Sequence, residues 1–350
     1  MTVGAVQIQP LGRDPGSIAQ WDRYVLDSPV CSGYHLTAWR DIVERAFGHD
    51  TVYLMAQDSQ GDVRGILPMV AFASRLFGRF LVSMPFVNYG GLVANSQEAQ
   101  AALLDAAVQE ACRRQVRHVE LRQQASLPLD WPCKTHKVSM RLELPQDFEI
   151  LMKQFPSKLR SQIKRPQKEG MTASVGGIDL FDDFYVVFSR NMRDLGTPVY
   201  SPGFFQCILE SLPKDTALAV VRWNQQPVAA GFVYQFRGTM EIPWASADRR
   251  FDRWSPNMLL YSTVLEYACR QGCRAFDFGR SSPDSGTYRF KAQWGAQPVP
   301  LYWYYWLKDG GPLPELNPNN PKYQLAIAAW RRLPLGVANL LGPQIVKHLP

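Results

Sequence analysis

The densest chemistry in the chain lies between Phe276 and Ala296, FDFGRSSPDSGTYRFKAQWGA. A short apolar strand, Ala275 to Phe278, runs into a loop of glycine and serine. The segment then leaves through Tyr288, Arg289, Phe290 and Lys291 toward Trp294. Strand ends followed by small-residue loops, cations and aromatics are where α/β proteins concentrate binding and catalysis. A lysine held among aromatic groups can act as a fixed positive charge for a developing oxyanion. Lys291 can equally be a surface lysine whose stem lies along Trp294. Asp277 sits mid-strand, and alternation turns its side chain away from Phe276 and Phe278. There it can orient a substrate amine, or form a structural ion pair with Arg280 or Arg289.

A second cluster is PSKLRSQIKRPQKEG, Pro156 to Gly170, with Lys158, Arg160, Lys164, Arg165 and Lys168 against Glu169 alone. On a helix Arg160, Lys164 and Lys168 share a face and repel one another, so an anionic partner would relieve them. A solvated helix face is the plainer reading. Pro166 is expected to break or kink this helix. A third segment, NMRDLGTPVYSPGFF, carries Tyr200 and Phe204, as a substrate wall or as a turn between helices. Other chemistries lack support. None of the five histidines has a partner at metal-ligand spacing, so no metal site is expected. No GxSxG elbow, GxGxxG or GxxxxGK[ST] loop is present.

These residues need elements to position them. In the first half an N-terminal strand leads to a helix around Tyr34 to Phe47. Strands follow near Val52 to Gln57, Gly65 to Phe72 and Phe80 to Met84. A helix Gln97 to Arg114, capped by Ser96, precedes a strand Val116 to Arg122. In the second half the pattern predicts helices over Ile150 to Glu169, Phe181 to Leu195 and Pro202 to Leu212. Strands Ala217 to Trp223, Pro227 to Phe236 and Met240 to Ala245 come next. The helix Asn257 to Gln271 and the strand Ala275 to Phe278 follow, and an aromatic strand, Pro300 to Leu307, closes the set. Adjacent strands before a single helix predict an α/β fold with mixed sheets.

The two halves resemble each other. Leu103, Leu104, Val108, Glu110, Arg114 and Gln115 meet Leu259, Leu260, Val264, Glu266, Arg270 and Gln271. After one inserted residue, Arg117, Val119, Glu120 and Leu121 meet Arg274, Phe276, Asp277 and Phe278. Two copies of an α/β unit account for 350 residues better than one core. The expected domains are 1–148 and 149–307, followed by 308–350, a Pro/Gly-rich loop and C-terminal helices. In that tail Asn320 is expected to cap a helix from Pro321 to about Leu333. The tail either packs back on the body or lies on a membrane surface.

Hydrophobic residues make up 46% of the chain and the formal charge is +7. The balance allows cores in both halves and an anionic partner, without naming one. Six scattered cysteines without a CxxC pair suit a reducing compartment. No signal peptide and no run near the ~20 apolar residues of a membrane span are seen. The expected location is the cytoplasm, with the inner membrane as the place for any peripheral contact. No DNA-reading motif is present.

Taken together, KLRSQIKRPQKEG, RDLGTPVYSPGFF, PNMLLYSTVLEYACRQG and FDFGRSSPDSGTYRFKAQWGA resemble the FemAB-type acyltransferases. Within them the chain is most similar to the FemAB-like proteins associated with the PEP-CTERM/exosortase system. The resemblance covers most of the chain and implies two tandem GNAT-like domains. It also implies transfer of an acyl or aminoacyl group to an amine of a cell-envelope or exopolysaccharide precursor, with peptidoglycan the acceptor in Fem enzymes. The implied donor is aminoacyl-tRNA or acyl-CoA, as a substrate and not as a bound cofactor. By its place in YRFK, Lys291 is the implied oxyanion stabiliser. Arg280 and Arg289 are candidates to hold substrate phosphate or carboxylate, with Lys158, Arg160, Lys164, Tyr200 and Trp294 as further contacts. Asp277, Tyr288 or Tyr304 are candidates to relay protons. The family-like pattern departs at Arg249 to Tyr261, RRFDRWSPNMLLY, where CoA-binding GNAT domains carry a glycine-rich phosphate loop. The departure argues against acetyl-CoA. The rival readings are a non-catalytic GNAT-like binding protein and a CoA-dependent amino-sugar N-acyltransferase.

Overall fold

The computed structural model describes residues 6–74, 78–314 and 321–349. Its contacts divide the chain into two units, Met1–Lys137 with Pro300–Glu315, and Val138–Val299 with Leu316–Leu349.

The first unit holds strands β1 (Gln7–Pro10), β2 (Asp50–Gln57), β3 (Val63–Ser74), β4 (Gly78–Val82), β5 (Val93–Ala94), β6 (His118–Gln123) and β7 (Cys133–Lys134). Its helices are α1 (Pro15–Asp27), α2 (Ala38–Phe47) and α3 (Gln97–Arg113). Side chains of Asp14 and Ser96 accept backbone N–H bonds at the starts of α1 and α3, as good N-caps do. The second unit holds β8 (Val138–Glu143), β9 (Thr172–Gly176), β10 (Thr216–Trp223), β11 (Gln226–Phe236), β12 (Thr239–Ala247), β13 (Ala275–Ser281) and β14 (Gln297–Pro300). The last strand, β15 (Tyr302–Leu307), belongs to the first sheet. The second unit's helices are α4 (Phe148–Gln154), α5 (Ser157–Lys168), α6 (Phe181–Leu195), α7 (Pro202–Ser211), α8 (Pro256–Arg270), α9 (Gly286–Ala292), α10 (Pro321–Arg331) and α11 (Leu335–Val346).

The sheet orders are β1-β2-β3-β4-β6-β15-β7 and β14-β8-β13-β12-β11-β10-β9. Read from opposite ends they are one pattern. Each has a parallel step, β4 with β6 and β12 with β13, crossed by α3 and α8 respectively. The repeat read from the sequence is this shared α–β step. The fold is mixed α/β, as expected. Both cores are aliphatic along the crossing helix. Leu103, Ala107 and Ala111 are buried on α3; Leu260, Val264 and Ala268 are buried on α8. Each larger one contributes about 1.5–3 kcal/mol of burial.

Several expectations need correction. The aromatic strand forms at Tyr302–Leu307, but it pairs with β6, Tyr305 opposite Glu120, and not in the second half's sheet. The expected boundaries at 148 and 307 therefore differ from the observed units, which change at 137 and near 300. Alternation predicts a strand but does not encode which sheet edge receives it. The single helix expected over Ile150 to Glu169 is two, separated at Phe155–Pro156, where both residues are extended. Pro166 does not end α5; it is buried inside the helix, which continues to Lys168. The TYRFK segment, expected as loop, is helix α9, capped by the Ser285 hydroxyl on Tyr288 N–H. Helix α1 and strands β8, β9 and β14 went unpredicted, although V-S-M-R-L-E of β8 alternates as a strand does and Ile18, Trp21 and Val25 of α1 recur at helical spacing. Asn320 lies outside the described residues.

The tail packs on α6. Arg193 donates to Leu333 O at 2.9 Å, and Arg331 donates to Leu195 O at 3.2 Å. Gly342 makes the approach of α11 possible, because a Cβ there would lie 2.8 Å from the Val199 backbone nitrogen.

Candidate active site

Strands β12 and β13 pair in parallel at three positions only, Thr239↔Ala275, Met240↔Phe276 and Glu241↔Asp277. Beyond these, β12 continues along β11 to Ala247 while β13 continues along β8, so the two strands part. Two buried carboxylates, Glu241 and Asp277, stand at the point of divergence. A register shift in β13 between Asp277 and Arg280, with Gly279 at φ 76°, places consecutive carbonyls off the ladder.

Lys291 uses those carbonyls. Its Nζ donates to Gly279 O at 2.9 Å and Arg280 O at 3.0 Å, and the residue is 7% exposed. Among the described residues these are its hydrogen bonds, so one of three ammonium N–H bonds is left for a further acceptor. Burial pulls the Lys291 ammonium down to about 8; the carboxylates of Asp277 and Glu241 favour its charge and Arg280 opposes it.

Asp277 has partners on β8 and in its own bulge. Its carboxylate accepts from the Ser139 hydroxyl, from Gly279 N–H at 2.8 Å and from Arg141 Nε at 3.2 Å. It is fully buried, and its bond from the Gly279 N–H fixes the residue whose own carbonyl, in the next peptide, holds Lys291. Asp277→Asn keeps an oxygen acceptor for Gly279 but removes the charge beside Lys291. We expect a stability loss of about 1–3 kcal/mol in urea unfolding. The Lys291 pKa, read by NMR of its Nζ, should fall below its parent value; an unchanged pKa would uncouple the two.

The other candidates separate. Arg280 and Arg289 are exposed, and Arg289 donates to Asp284 O at 3.1 Å. Tyr288 is half-buried on the aliphatic side of the second core, next to Phe290. Trp294 is a core residue, 1% exposed, with Phe155 at 5.6 Å between ring centroids. Lys158 and Lys164 are exposed on α5, while Arg160 donates to the carbonyls of Lys153 and Phe155 at the end of α4. Tyr200 packs with Phe204 and Trp244 beside α7. Tyr304 belongs to the first unit, where its hydroxyl accepts from Leu127 N–H and donates to Leu127 O. Sequence reasoning missed Ser139 and Arg141, both on β8, and Glu241. It also missed Ser281, whose buried hydroxyl has no partner among the described residues.

The loop before α8 has its own character. Asp248 is buried and accepts from Arg190 at 2.7 Å and Arg250 at 2.6 Å. Burial would raise its pKa, yet the bonds from Arg250 and Arg190 hold it at about 2. Arg249–Trp254 form a tight 3-10 turn, Ser255 has φ 59°, and Pro256 opens the helix. The Arg253 guanidinium lies 3.7 Å from the Trp254 ring centroid, and Trp223 stacks near it at 4.6 Å. No glycine exposes backbone N–H groups to an incoming phosphate here.

Residues 154–292 match the family model described as an acetyltransferase (GNAT) domain. No curated protein sequence is similar to the chain. Among solved structures it is similar to FemX, with TM-score 0.65 and 14% identity, over 91% of this chain and 100% of that one. A tandem GNAT protein from the clavulanic acid biosynthesis pathway matches with TM-score 0.55 and 12% identity, over 88% and 100% of the two chains. The C-terminal domain of a lysylphosphatidylglycerol synthetase from Agrobacterium fabrum matches with TM-score 0.56 and 13% identity, over 89% and 93%. These likenesses establish the fold, two GNAT-like domains in tandem.

Proposed function

We propose that the chain is an N-acyltransferase that moves an acyl or aminoacyl group onto an amine of a cell-envelope or polysaccharide precursor. The observation that carries this is the Lys291 ammonium, buried, held by two carbonyls and left with one N–H bond. In the reaction the acceptor nitrogen attacks the carbonyl carbon of an ester or thioester. The N–C bond forms as the C=O pair moves onto oxygen. The remaining Lys291 N–H and its charge stabilise that oxygen. Collapse of the adduct restores the carbonyl and expels the alkoxide or thiolate, which takes up the proton that the amine nitrogen loses, so that an amide and an alcohol or thiol are the products. Asp277 holds the lysine's carbonyl clamp and does not itself carry the proton. The likeness to FemX supports an envelope acceptor; the narrower PEP-CTERM branch is supported by the sequence motifs alone.

The donor reading follows from the loop before α8. Its glycine-free turn offers no ready pyrophosphate cradle, which disfavours acetyl-CoA; an aminoacyl ester of tRNA needs no such cradle, and another acyl-CoA would have to be held through its acyl chain instead. The test is transfer of radiolabelled acyl groups from charged tRNA and from acyl-CoA to envelope precursor fractions, beside calorimetry with acetyl-CoA. Transfer from one donor, with no acetyl-CoA binding, is the expected result. Saturable acetyl-CoA binding would overturn the donor reading. Absence of transfer from any donor would favour a binding protein on a GNAT-like fold.

A further inference from the structure

The last helix covers α6 with one face and leaves another uncovered. On α11 the residues Ala338, Gly342 and Val346 recur at four-residue spacing and are buried. Val337, Leu340, Leu341 and Ile345 remain exposed, Leu340 at 73%. At 3.6 residues per turn these four occupy an arc of about 140°. Gln344 falls inside the arc, and Lys347, bonded to Gln344 at 2.8 Å, lies at its edge. Leu325 on α10 is 75% exposed as well. Four large aliphatic side chains on one exposed helical face are a surface with a use, since scattered single ones are the ordinary case.

The charge that the tail itself carries has one sign. From Leu316 to Pro350 the chain has Lys322, Arg331, Arg332 and Lys347 and no aspartate or glutamate. Arg331 and Arg332 are exposed at the turn that precedes α11. A protein partner would meet the aliphatic face but give no reason for an acid-free cationic rim. A nucleic acid would use the cations and waste the leucines. An anionic lipid surface uses both, with aliphatic side chains among the acyl chains and cations at the headgroups. At 12 residues α11 is too short to cross a bilayer, and no described helix is long and apolar enough to do so. The fitting geometry is a helix lying in the interfacial plane.

We propose that α11, with the Arg331–Arg332 turn before it, is a docking surface for an anionic phospholipid bilayer. The proposal goes beyond acyl transfer and does not depend on it.

Flotation of the full chain with vesicles tests it, using phosphatidylcholine alone and phosphatidylcholine with about one-third phosphatidylglycerol. Bound protein should be at least ~10-fold higher on the anionic vesicles. L340S/L341S should lose at least ~10-fold of that binding, because both side chains are exposed and their loss removes inserted apolar area. R332Q/K347Q should lose the preference for phosphatidylglycerol. Thermal melts of both variants should match the parent. Failure of the parent to float, or equal flotation of L340S/L341S, overturns the proposal. So does a sedimenting dimer that L340S/L341S dissociates, which would give the face to a second copy of the chain.

Discussion

Lys291→Met should lower the acyl-transfer rate by about 10²–10³-fold, the usual cost of removing one oxyanion donor. Folding stability should change much less, because losing the bonds to Gly279 O and Arg280 O is offset by removing a buried charge. At neutral pH the lysine is charged in both folded and unfolded chains, and burial makes that charge unfavourable in the fold. The sign is visible in the pH dependence. Between about 8 and 10.5 the unfolded lysine holds a proton that the folded one has released. The parent should therefore gain stability as pH rises through that window, and Lys291→Met should not. Activity should move the other way. The oxyanion needs the charged form, so the parent rate should fall as pH rises through about 8. Rates are measured in single turnover, to separate chemistry from release. A methionine variant with the parent's rate would remove the ammonium from the mechanism, whatever its position.

The same lysine shows what the sequence could carry. YRFK and FDFG stand close in the chain, so Lys291 and Asp277 were visible as a pair of groups with chemistry. The α–β repeat was visible because helix and strand periods survive in both halves. The clamp was not visible. Its parts are a β-bulge at Gly279, a carboxylate that braces it, and two residues of β8, Ser139 and Arg141, far upstream. Local pattern has no access to strand order, and β8 and β13, far apart in the chain, are neighbours only in the folded sheet. For the same reason Asp277 seemed free to pair with Arg280 or Arg289, its neighbours in sequence. Trp294 was read as a substrate contact because aromatic residues serve both cores and sites; burial, which the sequence does not state, separates the two uses. On α11 the reading ran the other way. Short amphipathic pieces in the tail suggested either packing or membrane contact, and the structure uses one face of α11 for packing and leaves the other bare.

Arg122→Met should cost about 3–5 kcal/mol of stability. Glu120 and Arg122 form an ion pair at 2.7 Å with side chains 7% and 4% exposed. They occupy in the first unit the position that Asp277 occupies in the second, where the parallel strands β4 and β6 part. Here the opening is filled. Arg122 N–H donates to the Ser83 hydroxyl at 2.8 Å, and its guanidinium donates to Val87 O at 3.3 Å. The guanidinium also lies over the Trp303 ring at 4.8 Å. Met84 and Phe86 hold positive φ, 41° and 71°, in the segment that closes over the pair. Methionine would keep much of the volume but leave the Glu120 carboxylate buried beside Tyr305 without a cation. Truncating one partner strands the other, which is why the cost exceeds the worth of the pair. Glu120→Gln should cost less, and the double variant E120Q/R122M should recover part of the loss, a coupling that urea unfolding of all four proteins measures. Additive losses would mean that the two groups are held by their other contacts and not by each other. Transfer activity of the folded Arg122→Met protein should stay near the parent's, because the reacting groups proposed above are those of the second unit. A rate that falls in step with Lys291→Met would place a second reaction centre in the first.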